Sequence, residues 1–390
     1  MNELYTIMNQ SIDGNIEEYK KLVKQMYDHP EIGNQEFETM ALLSNYLEEK
    51  GFDVKRAVVV PTDFIAEYKT NKAGPKIAFM CEYDALPEVG HGCGHNLIAG
   101  IGIAAGVALK EIADTIGGTI QVIGTPAEEN FGGKVSLSEA GIFDDVDVAL
   151  MVHPGNENGV GSKSQALNPL KFEFFGKNAH GCHPQVGKSA LDAAVLSYLN
   201  INLLRQFVEP GTHIHGIIKN GGEAANVIPG YASLEYYFRA PTMKYAKYVS
   251  QRAEECVKGA CLASGTTYKM STYECPYDDT LINYTLATML TEKYQLLELE
   301  DIQPVDEVAA GSTDVGATSY RCPTIQGRIK ICGDEVNGHS KEMAEATISE
   351  LGTEALKNAA KGIAYVACDL IVDKEKLKIV KDEFESAIKN

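Results

Sequence analysis

Residues 77–96, IAFMCEYDALPEVGHGCGHN, contain the strongest indication of how this chain folds. They begin with an apolar run typical of a buried strand and end in a glycine-spaced loop that contains His91, Cys93 and His95. Imidazole nitrogen and thiolate sulfur are ligands that a zinc-type ion prefers. The glycines allow the backbone to turn so that alternate side chains can point at one ion. The stretch therefore predicts a buried strand that leads into a metal-binding loop.

The chain on either side of this loop predicts an α/β layer. Apolar runs alternate with segments of helical periodicity over residues 50–155, which favours a largely parallel sheet. We expect helices at 16–27, 36–50, 97–113 and 135–139, and strands at 57–60, 64–68, 76–81, 119–124 and 146–152.

The pattern changes near a Gly/Ser stretch at 159–165, a plausible hinge. From Leu170 the order is strand, helix, strand, strand, helix, strand, which predicts an antiparallel, ferredoxin-like sheet backed by two helices. After Pro276 the helix and parallel-strand pattern returns. A chain of 390 residues is expected to form two domains. We therefore predict a discontinuous catalytic domain at 1–165 and 277–390, with 166–276 inserted as a second domain.

Composition and charge exclude several classes of function. A formal net charge of -19 argues against nucleic acid and against acidic membrane surfaces as partners. The longest apolar run, 97–109, has 13 residues and predicts a buried helix rather than a membrane span. The first 21 residues are polar and acidic, without the apolar core of a signal peptide. Nine cysteines without a CxxC pair predict no disulfide framework, so we expect a cytoplasmic protein.

Four apolar runs end near side chains that can bind metal or move protons. Since sites in parallel α/β sheets form beyond the carboxyl ends of the strands, these side chains converge if the strands are neighbours. The candidates are Asp84, Cys93 and His95 after 77–80, Glu128 and Glu129 after 120–123, His153 after 148–152, and His339 after 329–332.

This set can hold two metal ions, or one with ligands to spare. A catalytic zinc keeps one position for water, whose pKa it can lower to about 7. A carboxylate that is not a ligand must then accept the proton. In the pair Glu128-Glu129, one carboxylate could bind the metal while the other acts as the general base. Asp84 would orient one of the ligands.

Ordinary structural roles explain each residue singly but not the set. A core histidine, a solvated Glu-Glu pair or a buried cysteine is common, yet five such groups at strand ends would be costly to bury without a partner. Two candidate nucleotide-binding motifs do not match their consensus. The segment Gly181–Ser189 has one residue too many for a phosphate-binding loop. The spacing of Gly100, Gly102 and Gly106 differs from the dinucleotide fingerprint by one residue. Those three glycines predict close helix packing instead.

The motifs together resemble the amidohydrolase branch of the zinc peptidases related to aminoacylase and carboxypeptidase G, and the resemblance extends over nearly the whole chain. The GSTDVG segment is similar to the subgroup of p-aminobenzoyl-glutamate hydrolase and β-alanyl-lysine-type dipeptidases. Related peptidases outside the branch have histidine where this chain has Glu82. The motifs are HPEIGNQE at 29–36, HGCGHN at 91–96, TPAEEN at 125–130, KNAHGCHPQVGKSALDA at 177–193, NVIP at 226–229, FRAP at 238–241, GSTDVG at 311–316 and GHS at 338–340.

The resemblance implies a role for each matching position. The inserted domain would be a lid and dimerisation domain, in which His180 reaches the partner subunit's site and stabilises the oxyanion. Asn226 and Arg239, with Gly311 and Ser312, would bind the substrate's carbonyl or carboxylate. Glu128 would be the general base beside the metal-proximal Asp84. The implied metal ligands are Cys93, which can bridge two ions in such sites, His95, Glu129, His153 and His339.

The sequence therefore predicts a metal-dependent hydrolase of amide or peptide bonds in small substrates: dipeptides, N-acyl amino acids or aminobenzoyl-glutamate-like amides. Metal-activated water would attack the carbonyl, with Glu128 as the base. One or two divalent ions per subunit are expected, with zinc favoured over manganese or cobalt. The expected assembly is a homodimer through the lid domain or a tetramer. The alternatives are a metal-dependent sensor or binding protein without turnover and, less favoured, a purely structural metal.

Overall fold

The computed structural model of the chain describes residues 2–309 and 311–389. The chain divides into two compact units. The first comprises Met1–Lys163, Thr280–Val308 and Asp314–Asn390, and the second comprises Ser164–Asp279 and Ala309–Thr313. The short segment 309–313 groups with the second unit, although the sequence pattern predicts it in the first domain. Its attachment is visible at Gly311, whose carbonyl accepts a hydrogen bond from the Gln165 N–H at 2.6 Å.

The described residues form twelve α-helices and two short 3₁₀ turns, Pro184–Val186 and Arg205–Phe207. The α-helices are α1 Asn2–Gly14, α2 Ile16–Asp28, α3 Phe37–Glu49, α4 His95–Ile116, α5 Gly133–Glu139, α6 Ala190–Leu204, α7 Met243–Ser264, α8 Tyr284–Leu296, α9 Val315–Ser319, α10 Lys341–Thr347, α11 Glu350–Val372 and α12 Lys374–Ala387.

The same residues form twelve strands. These are β1 Asp53–Arg56, β2 Phe64–Lys69, β3 Lys76–Cys81, β4 Thr119–Gly124, β5 Val148–Gly155, β6 Ala166–Phe175, β7 Ala179–His180, β8 His213–Asn220, β9 Val227–Ile228, β10 Tyr231–Ala240, β11 Thr267–Thr272 and β12 Thr324–Lys330.

The first unit is built on a mixed, mostly parallel six-stranded sheet in the order β1-β2-β4-β3-β5-β12. The pairs β3/β4, β3/β5 and β5/β12 are parallel, and β2 runs antiparallel to both β1 and β4. The four strands that carry the predicted site residues are therefore consecutive in the sheet. Their carboxyl ends lie at one edge, as predicted.

Helix α4 forms the centre of the first unit's core. It packs against β3, β4 and β5 as well as α1, α2 and α11. A Cβ added at Gly102 would lie 2.5 Å from the Cys81 Sγ, and one at Gly106 would lie 2.3 Å from Val122 Cγ2. The glycines therefore permit close helix–sheet packing, which confirms that prediction. By length and apolar composition α4 could cross a membrane, but 89% of its apolar stretch is buried inside the protein, as in the core helix of a globular domain.

The second unit has a four-stranded antiparallel sheet in the order β11-β6-β10-β8. Helices α6 and α7 pack on each other and on this sheet. Buried aromatic and aliphatic side chains such as Phe172, Phe238 and Val249 fill the space between the layers. This strand and helix order is the predicted ferredoxin-like arrangement, so the two-part α/β fold prediction is confirmed.

One predicted strand is wrong. Residues 57–60 form a bend, and β1 ends just before them at Arg56. The carboxylate of Asp63 accepts hydrogen bonds from the N–H groups of Val58, Val59 and Val60 at 2.6, 2.8 and 2.9 Å. These bonds curl the backbone into a local turn, which competes with strand pairing.

Other element boundaries differ in smaller ways. Residues 2–14 form the helix α1, which the sequence pattern does not predict. The last strand of the first unit covers Thr324–Lys330, earlier than the apolar run at 329–332 suggests. His153 lies within β5 rather than after it, near the strand's carboxyl end.

Candidate active site

The two glycines of the 91–96 loop allow other parts of the chain to approach it. Gly94 has a positive φ of 81°, and a Cβ there would lie 2.4 Å from Pro154 Cγ, next to His153. A Cβ at Gly92 would lie 2.9 Å from the Ser340 carbonyl oxygen. The Gly92 carbonyl accepts the His339 N–H at 2.9 Å. The loop is thus shaped to receive the segments that carry the two distant histidines.

The structure brings all five predicted ligand side chains together in two overlapping groups. Ligand atoms of Cys93, His95 and His153 lie within 4.8 Å of one another, as do those of Cys93, Glu129 and His339. Within these groups Cys93 Sγ is 3.5 Å from His153 Nε2, and His339 Nε2 is 3.4 Å from Glu129 Oε1. Because Cys93 belongs to both groups, the donor set has the form of two adjoining sites that share one sulfur.

Unsatisfied buried atoms show that this donor set fits a cation. His95 Nδ1 lies 2.9 Å from Asp84 Oδ1 and 3.0 Å from the Asp84 carbonyl oxygen. Both are acceptors, which assigns the proton to Nδ1. His95 Nε2 lies 3.3 Å from Glu82 Oε2 and 3.9 Å from Glu129 Oε1, and both this nitrogen and Glu129 Oε1 are buried without a hydrogen bond. A metal ion bound by this nitrogen and this carboxylate would satisfy both atoms.

Asp84 connects two of the candidate ligands. One of its carboxylate oxygens faces His95 Nδ1, and the other accepts the Glu129 N–H at 3.0 Å. Although burial alone would lower the pKa of His95, the neighbouring charges of Asp84, Cys93 and Glu82 raise it well above its usual range. Burial raises the pKa of Cys93 to about 12, so a bound cation is needed to hold it as a thiolate.

Glu128 lies between the donor set and a second group of carboxylates. Its carboxylate is within 4.8 Å of ligand atoms of His95 and Glu129, and also of Glu82 and Asp314. Burial, followed by the negative charges of Glu82 and Asp314, raises its pKa well above the usual glutamate range. A bound cation opposes that shift. A carboxyl group in this setting can serve both as a proton acceptor and as a proton donor.

The sequence pattern does not predict the buried ion network that lies beside Glu128. The ammonium of Lys134 donates to Glu82 Oε1 at 2.5 Å and to Asp314 Oδ1 at 2.7 Å, and the Lys134 N–H donates to Asp314 Oδ2 at 2.9 Å. Burial alone would lower the pKa of Lys134, but the two carboxylates raise it, so the ammonium stays charged. Two positions could have indicated this network: Glu82 is a charged residue directly after a buried strand, and Lys134 is a charged residue at a glycine-rich turn.

The five predicted substrate-side residues lie in the second unit, in two groups. His180 in β7 pairs with Val227 in β9, and the Asn226 carbonyl accepts the Gly181 N–H at 2.7 Å. His180 Nδ1 accepts a hydrogen bond from the backbone N–H of Cys182. In the other group, Arg239 Nη1 donates to Ser312 Oγ at 2.7 Å, next to Gly311.

Comparison with known proteins identifies the family. The model of the peptidase family M20/M25/M40 matches residues 78–362, which include all five candidate ligands, the whole second unit and part of the first. The chain belongs to this family.

Individual relatives agree with this result. The chain is 37% identical to the mouse Xaa-Arg dipeptidase over 392 residues, which cover 96% of this chain and 91% of the relative. It is 34% identical to one of the two p-aminobenzoyl-glutamate hydrolase polypeptides of Escherichia coli over 307 residues, which cover 73% of this chain and 62% of the relative.

Solved structures show the same fold. A dinuclear metal-binding peptidase of the M20 family from Bacillus subtilis has a TM-score of 0.71 at 21% identity, covering 93% of this chain and 99% of its own. An aminobenzoyl-glutamate utilization protein from Klebsiella pneumoniae has a TM-score of 0.74 at 20% identity, covering 93% of this chain and 98% of its own.

The predicted family and enzyme class are therefore confirmed: the protein is a peptidase or amidohydrolase, and its chemistry is metal-dependent hydrolysis of amide bonds. This outcome favours the hydrolase over a binding protein without turnover.

Proposed function

We propose that the protein is a dinuclear zinc hydrolase that cleaves the amide bond of dipeptides or N-acyl amino acids. The main support for this proposal is the convergence of five nitrogen, oxygen and sulfur donors at the carboxyl ends of neighbouring strands, with a sixth side chain, Glu128, beside them. Such a donor set next to a buried carboxylate is what metal-assisted hydrolysis requires.

Cys93 would contribute to both metal sites. His95 and His153 would complete one site, and Glu129 and His339 the other. Mixed sulfur, nitrogen and carboxylate donors suit zinc, although manganese or cobalt could replace it. When bound, the metal would polarise the scissile carbonyl and lower the pKa of water in the site.

Glu128 moves the proton in this proposal. It accepts a proton from the attacking water as the new carbon–oxygen bond forms, and returns it to the leaving amine as the carbon–nitrogen bond breaks. The proximity of Glu82 and Asp314 supports this role, because both carboxylates favour the protonated form of Glu128. Asp84 would keep His95 in the required tautomer and fix the backbone of Glu129.

The second unit would bind the substrate. Arg239 has the planar guanidinium that pairs with a free carboxylate, and Ser312 holds one of its nitrogens. Gly311, beside Ser312, would form part of the same surface. Asn226 would bind the carbonyl, and His180, provided by the partner subunit, would stabilise the oxyanion.

Dipeptides with a C-terminal arginine are the substrates to test first. The mouse and human relatives that align with 96% of this chain are both named Xaa-Arg dipeptidase. The net charge of -19 also favours the approach of cationic substrates over anionic ones. Aminobenzoyl-glutamate and N-acyl amino acids remain within the proposed class, since relatives named for such activities share the family.

A homodimer through the second unit is supported by an apolar stripe on α6 and its C-terminal turn. Val195, Leu199, Leu203 and Phe207 recur every four residues and are exposed, Leu203 at 69% and Phe207 at 76%. The edge strand β8, which pairs only with β10 among the described residues, also exposes Ile217. A second copy of the chain would cover this surface, and dimers could pair further into tetramers.

A cytoplasmic location is part of the same proposal. None of the nine cysteines forms a disulfide bond in the described part of the chain, and a reducing compartment would keep disulfides from forming. Fractionation of the source cells, followed by immunodetection of the protein, tests this assignment. Recovery in the membrane or secreted fraction would count against it.

Amine release from a substrate panel tests the proposed activity. The panel contains Ala-Arg, Ala-Ala, N-acetyl amino acids and aminobenzoyl-glutamate, each assayed with chelator-stripped protein before and after zinc is restored. We expect zinc-dependent turnover, highest for Ala-Arg. Zinc-dependent turnover of a different member would reject the arginine preference but keep the hydrolase, and no turnover of any member would contradict the proposal.

A further inference from the structure

The turn formed by Glu31–Glu36, which we call the 31–36 turn, contacts both catalytic loops of the first unit. The Glu31 carbonyl accepts the Ala85 N–H at 2.8 Å, directly after Asp84. On the other side, a Cβ at Gly33 would lie 3.0 Å from Ala127 Cα. The turn belongs to the HPEIGNQE motif at 29–36, to which the proposed mechanism gives no role.

Glu36 makes the most specific of these contacts. Its side chain is fully buried, and both carboxylate oxygens accept a hydrogen bond. Oε1 accepts the Ala127 N–H at 2.9 Å, and Oε2 accepts the Thr62 hydroxyl at 2.7 Å. A buried carboxylate is costly, so its presence here requires these partners. Ala127 is the residue that immediately precedes Glu128 and Glu129.

The backbone at Ala127 needs this support. Its φ is +61°, in the left-handed region that residues other than glycine rarely adopt. The Ala127 carbonyl accepts the N–H groups of Phe131 and Gly132 at 3.1 and 2.9 Å, which closes the loop on one side. Glu36 holds the N–H of the same residue on the other side. The strained residue Ala127 is therefore hydrogen-bonded at both its N–H and its carbonyl. These bonds fix the backbone direction at Glu128, the next residue.

We infer that Glu36 is a positioning residue for the general base Glu128, acting through the Ala127 N–H. This inference rests on the proposed function, because Glu128 is the base only within it. Glu129 has its own support, since Asp84 accepts its N–H at 3.0 Å. Loss of Glu36 therefore displaces Glu128 more than it displaces the metal-binding carboxylate, and kcat falls while the metal is retained.

The test compares Glu36→Ala, Glu36→Gln and the matched control Thr62→Val. Glutamine keeps an acceptor oxygen for the Ala127 N–H, and valine removes only the other partner of Glu36. Assays run at about pH 8, above the value of about 7 to which burial raises the pKa of Glu36, so that the wild-type protein is compared in one ionisation state. For Glu36→Ala we expect kcat to fall by about 10² with little change in KM and zinc content. Glu36→Gln and Thr62→Val should stay within about fivefold of wild type.

A second variant covers the case in which Glu36→Ala does not fold. Ala127→Gly is compatible with the positive φ and leaves Glu36 in place, so it should fold while allowing the loop more conformations. We expect its kcat to fall at unchanged zinc content. Wild-type kcat in a folded Glu36→Ala protein, or equal losses in Glu36→Ala and Glu36→Gln, would overturn the inference. If Glu36→Ala does not fold, wild-type kcat in Ala127→Gly would overturn it. Absence of turnover in wild type on every substrate of the panel would instead overturn the proposed function.

Discussion

The carboxylate of Asp84 lies 2.9 Å from Nδ1 of His95, a ligand candidate on the first turn of α4. Its second oxygen accepts the backbone N–H of Glu129, a ligand candidate in the loop after β4. One buried side chain thus orients donors from two different elements. Outer carboxylates of this kind fix the tautomer and the orientation of metal-binding histidines. The metal affinity of the site should therefore depend on a residue that need not touch the metal.

Replacement of Asp84 should weaken metal binding. For Asp84→Asn we expect a loss of zinc affinity of about 10- to 100-fold, because the single oxygen of an amide cannot accept from both His95 Nδ1 and the Glu129 N–H. Competition with a chromophoric chelator measures the zinc Kd directly. Asp63→Asn serves as the control, since Asp63 caps the turn at 58–60 and belongs to neither donor group. Equal zinc Kd values for wild type and Asp84→Asn would contradict the role given to Asp84.

Lys134 should be important for stability as well as for the site. Lys134→Met leaves Glu82 and Asp314 buried without their shared cation, so we expect the free energy of unfolding to fall by about 3–5 kcal/mol. Urea unfolding of the zinc-free protein measures the loss without a contribution from metal binding. Lys20→Met removes an exposed ion pair with Glu17 and should cost less than about 1 kcal/mol. Similar losses in the two variants would show that the buried network contributes little.

The apolar stripe on α6 should control the assembly state. Leu203→Glu places a charge on the proposed dimer surface, and we expect the protein to change from dimer or tetramer to monomer. Sedimentation velocity at several protein concentrations reports this change. Leu262→Glu is the matched control, because Leu262 is 87% exposed on α7, outside the stripe. A wild-type protein that sediments as a monomer, or a Leu203→Glu protein that remains dimeric, would contradict the proposed interface.

Much of the fold was predictable from sequence because its strands are short apolar runs that end in polar residues. The predicted boundaries of β3 and β4 match those observed, at 76–81 and 119–124. Parallel pairing places the carboxyl ends of such strands at one edge, which is a general property of these sheets, but that the four strands are neighbours is seen only in the structure. The failure at 57–60 has a local cause, since hydrogen bonds to one carboxylate, that of Asp63, override the β propensity of three valines.

The buried polar contacts around the site could not be predicted from the sequence. The three partners of the ion network are far apart in sequence, because Lys134 is separated from Glu82 by 52 positions and from Asp314 by 180. No periodicity connects charges so far apart, and buried charges are uncommon enough that each would be assigned to the surface. The contact between Glu36 and the Ala127 N–H spans 91 positions and depends on a positive φ that composition does not reveal.

The assignment of Glu128 as the base beside a zinc centre is best tested by pairing the zinc content of Glu128→Gln with its turnover. Glutamine keeps the size of the side chain but cannot accept the proton, and Glu128 is not needed to complete either ligand group that contains Cys93. Zinc is quantified by mass spectrometry, and turnover is measured on the substrate that wild type cleaves fastest. We expect wild-type zinc content with kcat reduced by at least about 10². Full zinc content with kcat close to wild type would contradict the proposed mechanism.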